Sequence, residues 1–160
     1  MVNPLIGIHA FFGEFAVFAF LWVFVEMFNP NEKSIERAKT AALLGVIFIF
    51  ASWIVGGASY VFFYGPEVKP LIKAGPESWA HSIFMETKEH VFLFLPILSI
   101  LALTTLRTFD EELIRNEKAR IGLMILAGLI VLIGLSMAGM GFLISSGARS
   151  ALEAGVGLGA

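Results

Sequence analysis

Apolar residues fall in four blocks along the chain, separated by short stretches that carry most of the charge. The first block, about residues 4–28, is rich in Phe and is closed by the turn Asn29-Pro30-Asn31. The second runs from about 40 to 63, after the charged segment Glu32 to Arg37, and ends in a tyrosine-rich stretch, Tyr60 to Tyr64. The third covers about 78–106, with Pro96 as an expected kink. The fourth covers about 121–146, after the charged run Arg107 to Arg120, itself expected to form a helical turn. Each block approaches or exceeds the roughly 20 apolar residues that a helix needs to cross a hydrocarbon core of roughly 30 Å. Lipid offers main-chain groups no hydrogen-bond partner, so such blocks must be helices. The pattern predicts an all-α integral membrane protein: a four-helix transmembrane bundle, up-down-up-down, forming one unit over residues 1–160. The segment GPEVKPLIKAGP between blocks two and three, with two Gly-Pro pairs and Pro70, reads as a rigid, non-helical connection.

Composition strengthens this reading. Hydrophobic residues make up 58% of the 160 and charged residues 15%, against about half and a quarter in soluble domains. Mean hydropathy is +0.84. The opening MVNPLIGIHAFFGEF lacks a basic leader and holds Glu14 within its apolar run, so it reads as a first span and not a cleaved signal peptide. Seven basic residues lie in the first and third connections (Lys33, Arg37, Lys39, Arg107, Arg115, Lys118, Arg120), and four lie toward the other side (Lys69, Lys73, Lys88, Arg149). Basic residues favour the cytoplasm, which places both termini outside and the chain in the cell membrane as a multi-pass protein. A net charge of -2 leaves no basic face for nucleic acid.

The candidate chemistry lies in ionisable residues placed where charge is costly. The first helix offers His9 and Glu14; the third offers His81, Glu86, Lys88, Glu89 and His90 within WAHSIFMETKEHVFLFLP. Glu86 and His90 are four apart and share a helix face, whereas His81 is turned roughly 140° from Glu86 in a regular α-helix. His9 and His90 each stand 17 residues from the inner markers Glu26 and Arg107, about 25 Å at 1.5 Å per residue. Both are therefore expected at one level near the outer interface, with Glu14 deeper. The chain has no cysteine, so a metal would be held by imidazole, carboxylate or thioether. Carboxylates with one or two imidazoles form the ligand set of Fe, Cu, Mn or Zn, and Glu14, Glu86, Glu89, His90 and His9 are the candidate ligands. Four-helix bundles build such sites from Glu-x-x-His pairs, whereas Glu86-x-x-Glu89-His90 has its Glu-His pair at i, i+4 and no second copy.

A b-type haem ranks next, with His9 and His90 as axial ligands, or with Met137 or Met140 in a mixed pair. A quinone could exchange electrons at such a site. The ordinary alternatives are an interfacial His81 beside Trp79, solvated rim charges at Lys88 and Glu89, and mutual satisfaction of Glu86 and His90 or a bond to the hydroxyl of Tyr60 or Tyr64. Small-residue pairs in the fourth block, Gly134/Ala138 and Gly141/Ser145, predict close packing within the bundle, ahead of a dimer face or a cofactor slot.

The run Trp53-Ile54-Val55-Gly56-Gly57 resembles a stretch of small membrane families of the copper-resistance and b-type cytochrome sort. It covers five residues, no histidine lies one or two turns before Trp53, and no residue role follows from it. Three functions are carried forward. The first is a redox or electron-transfer metalloprotein. The second is a small ion or proton transporter. The third is a non-catalytic subunit that assembles a larger membrane complex or a homo-oligomer.

Overall fold

The computed structural model describes residues 3–157 of the predicted 1–160 unit. Among them the chain is all-helical, with no strand. Four stretches are long and apolar enough to cross a membrane: Pro4–Glu26, Glu32–Ala74, Ala80–Thr108 and Glu117–Glu153. The first is α1. The second is α2 (Glu32–Ser59), a π-helical segment (Tyr60–Val68) and α3 (Lys69–Ala74). The third is a second π-helical segment (Ala80–Met85), α4 (Glu86–Val91) and α5 (Phe94–Thr108). The short α6 (Asp110–Arg115) leads to α7 (Glu117–Glu153).

Polar residues set the starts of these helices. Asn3 accepts from the Leu5 amide at 2.9 Å. Asn31 and Ser34 satisfy each other's main-chain amides in a capping box at the start of α2. Asn116 accepts from the Lys118 and Ala119 amides at the start of α7.

The prolines give a different result from the one the sequence implies. The GPEVKPLIKAGP connection does not interrupt the helix: the chain stays helical to Ala74 by widening into the π register. In that register the Lys69 amide reaches back five residues to the Tyr64 carbonyl. A proline ring collides with the carbonyl four residues earlier, and a wider turn moves that carbonyl aside. Gly65 permits the turn, since a Cβ there would sit 3.2 Å from the Tyr60 carbonyl oxygen. In the third stretch the α-helix breaks at Phe92–Leu93, one turn before Pro96. Pro96 cannot donate to the Phe92 carbonyl, and the Leu95 amide bonds it instead at 3.0 Å.

The main core joins α1, α2, α5 and α7, with Phe20, Val23, Ile35, Ala38, Leu106 and Ala127 all inaccessible or nearly so. Alanines on one face of α2 let α1 lie close. Gly45 receives the Phe20 ring so tightly that an added Cβ would stand 2.6 Å from it. A second, smaller cluster packs Tyr64, Ile72 and Ala80 against Ile144 of α7. Large apolar side chains cover the outside, among them Phe62 at 75% exposure and Ile54 at 69%, a surface compatible with a lipid environment.

Charges gather at the end opposite the second cluster. Arg37 grips Glu26 through two bonds, Nε to Oε1 at 2.6 Å and Nη2 to Oε2 at 2.7 Å, a fork that fixes the α1–α2 turn. Lys39 bonds Glu36 at 2.7 Å and Asp110 at 2.9 Å, tying α2 to the start of α6. The Lys39 ammonium, helped by the Glu111 amide, holds the Asp110 carboxyl below its ordinary range. A carboxyl depressed on folding stabilises the fold above its ordinary pKa, and that contribution is lost as pH falls through the folded value. Wild type is therefore expected to exceed Asp110→Asn in thermal midpoint by a constant margin from pH 7 to 5. The margin should shrink below about pH 4, as read by thermal denaturation in detergent.

Candidate functional site

Two polar constellations lie among the apolar helices. The first is a network formed where the two π-helical segments meet. His81 is buried, at 1% exposure. Its Nε2 stands 3.4 Å from Glu86 Oε1, and its Nδ1 stands 2.9 Å from the Tyr64 hydroxyl. The carboxylate only accepts, so Nε2 carries the hydrogen, and Tyr64 donates to Nδ1. The Tyr60 ring stacks on Tyr64 with centroids 5.4 Å apart. His81 is thus a buried side chain bonded to Tyr64, with the Glu86 carboxylate at ion-pair distance. The π register explains the approach to Glu86. Residues five apart stack in a π-helix, which swings His81 onto the face of Glu86, whereas a regular α-helix holds them roughly 140° apart.

The second constellation is a cavity of about 390 Å³ between α1, α2, the α4–α5 stretch and α7. Its walls are mostly apolar, and its polar lining comes from His9, Glu14, Ser52, Lys88 and Ser145. Several of its lining residues, Glu14, Phe18, Leu135 and Phe142 among them, are exposed, so the cavity is open to the outside of the bundle. Met137, Gly134, Ala138 and Gly141 form its α7 wall. The small-residue pairs therefore do two things: Gly134 accepts Val17 of α1 in close packing, and the same stripe leaves the space.

His9 is held on the α2 side. Its Nδ1 lies 2.9 Å from the Ser52 carbonyl oxygen and 3.0 Å from Ser52 Oγ. Ser52 Oγ in turn donates to the His9 carbonyl at 3.1 Å. A carbonyl only accepts, so Nδ1 carries the hydrogen and the neutral ring keeps its lone pair on Nε2. Nε2 has no hydrogen-bond partner among the described residues. Gly56 makes room for the ring, since a Cβ there would sit 2.7 Å from Nδ1.

The remaining candidates divide by location. His90 is exposed and donates Nδ1–H to the Glu86 carbonyl at 2.6 Å. Glu89 and Glu86 are also exposed. His9 and Glu14 share the cavity; His90, Glu86 and Glu89 are not on its walls. Among the described residues no group of three or more His, Asp or Glu side chains stands close enough to share a metal ion. Lys88, read from sequence as a rim charge, turns into the cavity. Ser52 went unnoticed, although a hydroxyl in the middle of an apolar block was a visible signal.

No family model, curated protein or solved structure matches the chain. What defines it is the class of fold: four helices apolar enough to span a membrane, with a cavity among them that His9 lines.

Tyr64→Phe would leave the buried His81 Nδ1 without its donor, a loss of about 1–3 kcal/mol. Its thermal midpoint in detergent should fall clearly below that of His90→Ala, whose exposed ring bonds only its own helix.

Proposed function

We propose that the chain is a multi-pass, up-down-up-down membrane protein with both termini outside, which carries a redox cofactor in the cavity and transfers electrons. The observation that carries this reading is His9. Its Nδ1–H is committed to Ser52 and its Nε2 is free at the wall of a cavity. Metal-binding histidines are oriented in this way, by a second bond to a carbonyl or carboxylate.

Between the metals weighed from sequence, the donor set favours a b-type haem over a bare Fe, Cu, Mn or Zn ion. A bare ion needs three or four protein ligands converging on it, and no such group stands among the described residues. A porphyrin brings four nitrogens and asks the protein for one or two axial ligands. His9 would be one, and Met137, which lines the same cavity from α7, would be the other. A His/Met pair raises the reduction potential relative to two imidazoles. The apolar lining and the volume suit a cofactor site. The opening supports exchange with a quinone dissolved in the acyl region. When bound, the haem would supply the one-electron chemistry; His9 and Ser52 hold and orient it, and the apolar walls exclude water.

The test is purification in mild detergent from haem-replete cells, with absorbance and elemental analysis. A Soret band and near-stoichiometric iron are expected in wild type and in His90→Ala, with loss of at least most of the band in His9→Ala. Colourless, iron-free wild-type protein would overturn the reading.

A second reading rests on Glu14 of α1 and Lys88 of α4, a carboxylate and an ammonium lining one cavity among apolar helices. Such a pair suits a proton pathway. It predicts proton flux in proteoliposomes that Glu14→Gln abolishes, and equal flux in the two would remove it.

A further inference from the structure

We infer that the cavity takes a ligand bearing a carboxylate and that Lys88 is the residue that binds it. The inference rests on the cavity reading above and adds the ligand's chemical class. On α4 the neighbours Glu86, Glu89 and His90 are all exposed, whereas Lys88 alone of the helix's ionisable residues lines the cavity. Its ammonium packs on α7 at Gly141, where an added Cβ would lie 3.2 Å from Nζ.

Lys88 forms no ion pair or hydrogen bond with any described residue. An ammonium surrounded by apolar walls loses most of its hydration, and it is tolerated when an anion replaces that hydration. Glu14 lines the same cavity but at no point comes within ion-pair distance of Lys88. The missing anion therefore belongs to the ligand. An apolar body with an acidic group fits both the walls and the charge. On the haem reading that anion is a carboxylate, which a porphyrin carries as propionates, and a free fatty acid bears the same group as its head. The two sources share the chemistry and can be separated by experiment.

Wild type, Lys88→Gln, Lys88→Arg and Gly141→Val, all as full-length protein in neutral detergent, would be titrated with haemin and with haemin dimethyl ester. Soret absorbance and native mass spectrometry would read the binding. Wild type and Lys88→Arg should prefer the free acid by about tenfold or more, as a charge-assisted bond predicts. Lys88→Gln should bring the ratio near one while leaving affinity for the ester unchanged. Gly141→Val should weaken the preference by displacing the ammonium.

Equal binding of acid and ester by wild type would overturn the carboxylate inference and leave the haem reading standing. If neither porphyrin binds, the haem reading falls. Oleate against methyl oleate, counted by native mass spectrometry, then decides the inference alone. A preference for oleate that Lys88→Gln removes sustains it, and no such preference ends it.

Discussion

In helices as apolar as these, every main-chain amide and carbonyl has to find its partner within its own helix, because neither lipid nor packed hydrocarbon supplies one. Prolines cannot meet that condition in a regular α-helix, and this chain carries Pro66 and Pro70 in its second helical stretch and Pro96 in its third. The structure resolves the conflict locally. The ladder widens to the π register over Tyr60–Val68, and it slips at Phe92–Leu93 so that Leu95 takes the carbonyl that Pro96 cannot. A second widened segment, Ala80–Met85, lies before α4. These adjustments rotate the side chains beyond them, and the polar architecture follows. Tyr64 and His81 face each other across two widened turns. His81 comes round to Glu86, and Lys88 points inward while its neighbours point out.

The two polar constellations therefore differ in kind. The Tyr64–His81–Glu86 network is closed: Tyr64 bonds one ring nitrogen, and the Glu86 carboxylate stands 3.4 Å from the other. It behaves as a fastener between the helical stretches, strong because a buried polar group left unpaired is costly. The cavity is open. His9 has one nitrogen committed and one free, Lys88 has no counter-ion among the described residues, and Glu14 stands at the rim. On the reading proposed above, a ligand would complete these valences.

Much of the architecture was legible in the sequence because it follows from length and hydropathy alone. Four apolar blocks became four helical stretches, and the charged run before α7 became the short α6. The boundary of the second stretch was not legible. A Gly-Pro pair normally reads as a stop, and nothing local distinguishes a stop from a widened turn that Gly65 happens to permit. At the site, His9 and Glu14 stood out because charge in an apolar block is conspicuous. Ser52, 43 residues away in sequence, could not be paired with His9 from periodicity. The contact of His81 with Glu86 was not legible because a regular α-helix holds the two roughly 140° apart, and the π segment Ala80–Met85 changes which residues share a face. The grouping of Glu86, Glu89 and His90 with His9 assumed that level along the helix implied nearness, whereas their direction around the helix separates them.

The cavity has walls from both ends of the chain order. α1 supplies His9 and Glu14, and α7 supplies Met137 and Gly141. During synthesis α1 is made long before α7, and the intervening helices can insert and pair with it in the interval. Without α7 the His9 side of the cavity would be an open trough. The enclosure forms as one late event, when the final helix lays its small-residue stripe against Val17 and Lys88. Whatever molecule fills the space is accordingly received either by the half-built trough, before α7 closes it, or afterwards through the opening. Assembly order and ligand loading are coupled in this fold by the simple fact that one wall is made last.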